Sequence, residues 1–399
     1  MNNHLSTITV HLPQDHLLSR GFIHELVQHC PDLKSVIFDC DGPTRCMEET
    51  LVEFLPKLSR LEEVTLPYLS ITSAVTFALS NLPLLEKIAF VDYIIYPEDT
   101  EASSLDELRN FLPVLHNNPF PSLKKLSLTA NLSNLTAFLR KGIAPCLEFL
   151  SVKAVDLENE YSLQSFLTFL SEGRTRSSLT KLVVDMVPYH ADAHSVIRTN
   201  KEDVGNISFA NLEPISCLSS LTYLRIFYHR ACKVTDEELV TLVGSLPSLT
   251  NLTFCPDPCN LQEKPSLTLK VLPLLAARLP HLEELGLQVD LDSTSELQEV
   301  SRPTSFQKLT ELNFGTSVVL SDGADWKNIA LYLSRLLPSS CTITSGSYLW
   351  SPSMETAIGE EFPDVYLPEE CEERWDKIAD TMYLIIKGRE EERKWSTLV

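Results

Sequence analysis

Glycine and positive charge are both scarce in this sequence. It has 12 glycines in 399 residues, which leaves little material for Gly-rich phosphate loops, and no Walker loop, Rossmann fingerprint or GxSxG elbow occurs. Its 33 Lys and Arg stand against 54 Asp and Glu, a formal net charge of −21. So acidic a surface repels nucleic-acid backbones and anionic lipids. We therefore expect no nucleic acid and no membrane among the partners, and no cofactor.

Long apolar runs and ordered cysteine spacing are missing as well. No apolar run approaches the roughly 18 residues that a membrane span needs. The N-terminus lacks the basic and then apolar segments of a secretory signal. The 10 cysteines follow no regular spacing, which favours reduced thiols over a disulfide framework. We expect a soluble protein of the cytoplasm or nucleus.

What the chain does contain is one six-residue pattern, Leu-x-x-apolar-x-apolar, repeated from end to end. It occurs eleven times, and successive first leucines lie 24 to 42 residues apart. The copies begin at Leu5, Leu33, Leu61, Leu85, Leu123, Leu147, Leu179, Leu221, Leu249, Leu282 and Leu309. A degenerate twelfth copy, PSSCTI, ends at Ile343. Apolar residues at helical spacing fill most intervals, as at Leu239, Leu242, Val243 and Leu246, so each copy predicts a short strand and most intervals a helix.

This pattern resembles that of leucine-rich repeat proteins. The resemblance implies an α/β solenoid, or horseshoe, with a parallel concave sheet of about 11 to 12 short strands and helices outside it. The ninth residue of a repeat, often Asn or Cys in that family, is Asp41, Asn131, Asp257 or Asp290 in some copies but not in others. These irregular repeats, and the closing pattern LPSSCTI…ERW…REEER, resemble the repeat region of fungal F-box proteins in particular.

The last copy of the pattern suggests a domain boundary. We predict that residues 1–343 form the solenoid and that residues 344–399 form an acidic loop and a C-terminal capping helix. Apolar residues recur at helical spacing in this last segment, namely Trp375, Ile378, Ala379, Met382, Ile385 and Ile386. A terminal repeat exposes its core unless a cap covers it. We therefore expect this stripe to pack on the last repeat.

Candidate binding residues follow from the alternation within each copy. The second, third and fifth residues, and the one just after the copy, should project away from the core, and the family binds partners on this concave face. The predicted protein-binding residues are Tyr223, Arg225, Phe227, Phe149 and Asn251. Tyr and Arg are enriched in binding hot spots. Alternatively, Tyr223 or Phe227 packs under the insertion at 185–215, which is itself a candidate contact loop, as is 351–370.

The function implied by the resemblance is a non-enzymatic scaffold that binds proteins. In F-box proteins the repeats capture a substrate while the F-box docks on the Skp1-type adaptor of a ubiquitin ligase. No F-box pattern precedes Leu5, so we expect a Skp1-type partner only if an F-box is supplied. The alternative is a stand-alone regulatory or adaptor protein built from the repeats.

Three motifs point to other chemistry. The stretch SVIFDCDGPTR, with Asp39 and Asp41, resembles the first motif of haloacid-dehalogenase phosphatases, in which the first Asp is the nucleophile. In the repeat register, however, it is the end of a strand, and the remaining phosphatase motifs are incomplete. His190, Asp192 and His194 could ligate a metal or lie in a solvated loop. The pair of thiols in CPDPC, 255–259, lacks a second pair at zinc-ribbon spacing, which favours a turn.

Overall fold

A computed structural model gives the fold of the chain. It describes residues 5–13, 16–40, 47–67, 69–91, 102–141, 146–187, 205–258, 263–291, 303–319, 326–346 and 369–396. The chain divides into two compact units, residues 1–204 and residues 205–399. Each unit is an alternation of parallel strands and helices.

In the described part of the first unit there are seven strands in chain order, each parallel to the next. They are β1 Thr7–Leu12, β2 Ser35–Cys40, β3 Glu63–Leu66, β4 Lys87–Phe90, β5 Lys125–Thr129, β6 Phe149–Lys153 and β7 Lys181–Asp185. Its α-helices are α1 His16–His29, α2 Glu48–Phe54, α3 Ser73–Leu79, α4 Ala102–Arg109, α5 Leu132–Leu139 and α6 Glu160–Glu172. Short 3-10 helices follow α2 and α6 at Leu55–Lys57 and Arg174–Ser177.

Among its described residues the second unit has five strands, again parallel and in chain order. They are β8 Tyr223–Phe227, β9 Asn251–Phe254, β10 Glu284–Leu287, β11 Glu311–Asn313 and β12 Thr342–Thr344. Its α-helices are α7 Phe209–Leu212, α8 Asp236–Gly244, α9 Val271–Arg278, α10 Trp326–Leu336 and α11 Glu369–Ser396. A 3-10 helix, Glu213–Cys217, precedes β8. All twelve predicted strands are therefore present, including the degenerate copy at β12.

The repeat leucines explain why these strands align. Leu126 of β5 lies in register with Leu150 of β6, and Leu150 with Leu182 of β7. Each of these side chains is at most 1% exposed. Because side chains alternate along a strand, the fourth and sixth residues of a copy point toward the core while the third and fifth face the other side of the sheet. We call this second side the open face. The fourth and sixth residues are buried in most described copies, whereas Ile8, Val10, Phe90 and Ile343 are half-buried.

Capping residues fix where several helices begin. Thr235 and Glu238 form a capping box at α8, in which the Thr235 N–H donates to Glu238 Oε2 at 2.9 Å. Asn159 Oδ1 accepts from the N–H groups of Tyr161 and Ser162 at the start of α6. These caps define the residues at which α6 and α8 begin, and therefore the lengths of the loops between these helices and the preceding strands.

Helix α5 is capped by the following repeat instead of by its own N-cap residue. Asn131 precedes the helix but makes no capping bond. The Leu132 N–H donates to Glu158 Oε1 at 2.6 Å, and Asp156 beside it accepts from Arg109 Nε at 2.9 Å. Burial raises the pKa of the Glu158 carboxyl, while bonds from Ser162 and the Leu132 N–H oppose that rise. Polar contacts therefore join successive repeats at the loops as well as along the sheet.

Helix α11 covers the apolar stripe of the C-terminal segment. It packs against α10 and β12 and buries Trp375, Ile378, Met382 and Ile386. Ala379 and Ile385 are half-buried. The domain boundary after residue 343 stays a prediction, since residues 347–368 lie outside the part of the chain that the structure describes.

Candidate functional site

The open face of the second unit brings together three of the predicted binding residues. Tyr223 and Arg225 alternate along β8, and Asn251 of β9 lies in register with Tyr223. Glu284 of β10 lies in register with Asn251. The row Tyr223, Asn251, Glu284 therefore crosses three neighbouring strands at one level, and Arg225 stands one level further along.

Arg225 links the two ends of this row. Its guanidinium carbon is 4.9 Å from the centre of the Tyr223 ring, and its Nη2 donates to Glu284 Oε2 at 3.2 Å across β9. A cation over an aromatic face and a charge-assisted hydrogen bond both restrict the guanidinium. We call the residues Tyr223, Arg225, Asn251 and Glu284 the β8–β10 cluster.

The cluster is partly exposed and keeps hydrogen-bonding capacity. The Arg225 side chain is 28% exposed and the Glu284 side chain 39%. Burial raises the pKa of Tyr223, against a smaller lowering by Arg225, so the phenol is neutral at physiological pH and keeps its O–H donor. Asn251 Oδ1 accepts from the Thr250 hydroxyl at 2.7 Å. An aromatic ring, an amide, a carboxylate and a guanidinium thus meet on one half-buried surface.

Phe227, the third outward position of β8, is buried. Its side chain is only 6% exposed, so its ring does not contribute to the accessible surface. The same position of the repeat is buried in the first unit, where Lys153 is 7% and Asp185 8% exposed. The alternation placed Phe227 on the open face but did not reveal that this end of the strands is covered. Of the two predicted strand aromatics in the second unit, Tyr223 alone remains accessible.

Phe149, the fifth predicted binding residue, lies in the first unit. It is half-buried in β6, in register with Lys125 of β5 and Lys181 of β7, both of which are exposed. At the neighbouring, second position of the repeat, charges pair across strands, for example Lys34 with Glu62 at 2.6 Å and Lys124 with Glu86 at 2.8 Å. Exposed ion pairs of this kind contribute little to stability. Phe149 is thus an aromatic side chain between two lysines.

The alternative motifs gain little from the described residues. Asp39 lies in β2 with its Oδ2 3.1 Å from His11 Nδ1, whereas Asp41 is outside the described residues. His190, Asp192 and His194 also fall outside them, as does Cys259. Cys255 is 1% exposed. Within the described ranges, no group of three or more His, Cys, Asp or Glu side chains could hold a metal ion.

One buried polar residue was not identified from the sequence as a feature of interest. His229, two residues after β8, is 3% exposed, and neither ring nitrogen has a hydrogen-bond partner among the described residues. Burial, together with the neighbouring charge of Arg230, lowers its pKa to about 3. Its ring lies 4.3 Å from that of Tyr228, centre to centre. The sequence signal was its place at the ninth repeat position, where the family often has Asn.

No described helix combines the length and the apolar content that crossing a bilayer requires.

Glu284, the partner of Arg225, was also missed as a site residue. Its third position in the copy beginning at Leu282 could have identified it, because that position faces the open side in every repeat.

No protein-family model matches the chain, and no curated protein matches its sequence. Its structure is similar to a crystal structure of a Rad7–Elc1 complex from yeast, with 16% identity, 74% of each chain covered and a TM-score of 0.37. It is also similar to the leucine-rich repeat-containing protein LegL7 from Legionella pneumophila, with 11% identity, 96% of this chain and 92% of that chain covered, and a TM-score of 0.32.

A third similar structure is that of a TLR13–ssRNA13 complex, with 15% identity and a TM-score of 0.29. That alignment covers 89% of this chain but 53% of the other. The fold assignment rests on the repeat geometry: within each unit the described strands follow chain order and are parallel, and in the first unit the leucines of successive copies lie in register. The chain is an α/β solenoid of the leucine-rich repeat fold class.

Proposed function

We propose that this chain is a non-enzymatic scaffold that binds a protein partner through the β8–β10 cluster. The observation that carries the proposal is the contact of Arg225 with both Tyr223 and Glu284 on the open face. Binding energy at protein interfaces concentrates in a few Tyr, Trp and Arg side chains in well-packed surroundings. Here such side chains are held in place before a partner arrives, which reduces the entropy lost on binding.

Phe149 with its flanking lysines is proposed as a second, smaller contact on the first unit. An aromatic ring between two ammonium groups suits an acidic segment of a partner, because the ring supplies apolar contact and the lysines supply charge. Phe227 is not part of the proposed surface, since it is buried.

We further propose that the scaffold is the substrate-recognition part of an F-box-type ubiquitin ligase receptor. The irregular repeats and the closing sequence pattern support this assignment. A Skp1-type adaptor is a partner in this proposal only if an F-box is supplied. A stand-alone regulatory or adaptor protein is the alternative, and the cytoplasm or nucleus remains the predicted location.

The test is quantitative affinity capture with the double variant Tyr223→Ser, Arg225→Ser. The matched control is Glu63→Ser, Lys87→Ser, which removes a charged pair, 3.7 Å apart, from β3 and β4. Both residues occupy the third position of their copies, as Tyr223 does. We expect the first variant to lose at least one partner by about tenfold or more, because one lost anchor commonly costs about 2 kcal/mol. The control should retain that partner.

A double variant that retains every wild-type partner at full yield, while melting at the wild-type temperature, overturns the proposed site. The proposal that the protein is not an enzyme is tested separately, by measuring turnover of a general phosphomonoester in the presence of Mg²⁺. Turnover that disappears in Asp39→Asn would show a catalytic carboxylate at the end of β2.

A further inference from the structure

Two like charges stand side by side on the open face of the second unit. Glu284 of β10 and Glu311 of β11 lie in register on neighbouring parallel strands, and both occupy the third position of their copies. Both side chains are half-buried. Glu283, which precedes Glu284, is exposed. Three carboxylates therefore adjoin the β8–β10 cluster, of which Glu284 is a member.

The first unit shows how charges at the same repeat positions are balanced. At the third position, Lys87 Nζ lies 3.7 Å from Glu63 Oε2. At the second position, the cross-strand pairs are Lys34 with Glu62 and Lys124 with Glu86. Lys125, in register with Lys87, is an exception, and it flanks Phe149, where we propose contact with an acidic segment. Like charges on neighbouring strands repel, so Glu311 stands where a Lys would balance Glu284.

The described surroundings of the three carboxylates supply one cation, Arg225, which is bonded to Glu284. Within the described ranges, no Lys, Arg or His side chain forms an ion pair with Glu283 or Glu311. The other charged or titratable groups before and after these strands are the exposed His281 and Lys308, the paired Arg230 and Glu263, and the further carboxylates Asp257 and Asp290. The negative charge of this face is therefore not neutralised by its described neighbours.

Gln288 is a second, independent indication of a ligand that carries N–H groups. By alternation it faces the same side of β10 as Glu284, with Gly286 between them. Gln288 is 4% exposed, and its Oε1 has no hydrogen-bond partner in the described part of the chain. A buried acceptor without a donor is costly. Since Gly286 has no side chain to intervene, an N–H-rich group lying along the strand from Glu284 would supply that donor.

We propose that the β8–β10 cluster, together with Glu311, binds a basic segment of the partner protein and places a Lys or Arg side chain between Glu284 and Glu311. This inference rests on the proposed function, because it names the chemistry of the partner at the same site. The entering cation separates the two like charges, as Lys87 balances Glu63, and it makes charge-assisted hydrogen bonds to both carboxylates. Arg225 keeps its bond to Glu284, and the Tyr223 ring offers apolar contact to the rest of the segment.

The experiment measures binding of two synthetic peptides to the full chain, one of alternating Lys and Ser and one of alternating Glu and Ser. The test variant is Glu311→Gln, and the matched control is Glu237→Gln, an exposed carboxylate on α8 of the same unit. Both substitutions change the net charge equally, so they weaken general attraction to the acidic protein equally. We expect the lysine peptide to bind the wild type and the control alike, and Glu311→Gln about fivefold more weakly or less well still, because a charge-assisted bond is lost.

Equal weakening of the lysine peptide by Glu311→Gln and Glu237→Gln would overturn the inference, since it would show attraction to the acidic surface as a whole. Stronger binding of the glutamate peptide than of the lysine peptide would overturn it as well.

A second variant supplies the missing cation from the chain itself. Glu311→Lys places an ammonium group beside Glu284, so it should melt at or above the wild-type temperature and lose the captured partner by about tenfold or more. A partner that is lost in Tyr223→Ser, Arg225→Ser but retained in Glu311→Lys would overturn the basic segment and leave the proposed site standing. Retention of every partner in both variants would overturn the proposed site itself.

Discussion

The indole ring of Trp375 stacks on the ring of Phe314, with the ring centres 4.5 Å apart and the planes inclined by 18°. Trp375 Nε1 donates to the Ser317 carbonyl at 2.9 Å. Phe314 is the sixth residue of the copy beginning at Leu309, so the capping helix closes directly on a core position of the last full repeat.

We expect Trp375→Ala to lower the free energy of unfolding of the second unit by about 3 to 5 kcal/mol, the usual range for removing a buried Trp. Trp395 on the same helix is 74% exposed, and Trp395→Ala should cost about 0.5 kcal/mol or less. Denaturant unfolding followed by circular dichroism measures both. Equal effects of the two substitutions would show that α11 does not cap the repeats through Trp375.

The strand register can be tested by substituting two consecutive residues of β5 with the same residue type. Leu126 is 1% exposed and Lys125 is exposed. Leu126→Glu should abolish cooperative folding of the first unit, because an unpaired carboxylate would enter the shared core. Lys125→Glu should melt within a few degrees of wild type. A soluble, cooperatively folded Leu126→Glu protein would contradict the register.

Two variants of Glu158 can separate the effect of its hydrogen bond to α5 from the effect of its charge. The pKa of Glu158 is raised by burial, so its ionisation above that pKa opposes folding. Glu158→Gln keeps an acceptor for the Leu132 N–H and should be neutral or slightly stabilising at pH 7. Glu158→Ala removes the acceptor and should cost about 1 kcal/mol, as for other lost caps. Thermal melts at pH 7 rank the stability of the wild type and the two variants. A Gln variant less stable than the Ala variant would contradict a role of Glu158 as hydrogen-bond acceptor for α5.

His229 should make stability depend on pH. Its folded-state pKa is about 3, against an ordinary value of 6.5. Between these values the unfolded chain binds a proton that the folded chain does not, so stability is full above pH 6.5 and falls as the pH is lowered. The slope from this residue is at most about 1.4 kcal/mol per pH unit. Urea unfolding at pH 7.0, 6.0 and 5.0 measures it.

The matched variant is His229→Leu, which cannot bind the proton and leaves no unpaired ring nitrogen. Its stability should change less between pH 7 and pH 5 than that of the wild type. Identical pH profiles for the two proteins would show that His229 is solvated in the folded state.

The repeat pattern was enough to predict the strands, because the positions of its leucine and its two apolar residues indicate which side chains enter the core. Leu33, Val36 and Phe38 are all at most 1% exposed. This also explains why Asp39, beside them, is the end of a strand in a repeat. The sequence alone could not predict which outward residues stay accessible.

Phe227 illustrates the reason. Alternation states the side of the sheet on which a residue lies, but burial on that side depends on what packs over it, and Lys153, Asp185 and Phe227 are buried at the same repeat position. The contact between Arg225 and Glu284 joins residues 59 positions apart, across an intervening strand. The contact depends on the direction in which the long Arg225 side chain extends across the sheet, and the period of the sequence pattern does not determine this direction.

The cross-repeat bonds at α5 have a consequence for how such a chain can change length in evolution. The Leu132 N–H depends on Glu158, and in the second unit the Thr268 N–H depends on Asp236 at 2.8 Å. Deleting the repeat that supplies one partner would leave the other partner buried without its bond. Loss or duplication of one repeat at these places therefore costs stability unless the neighbouring loop is altered as well.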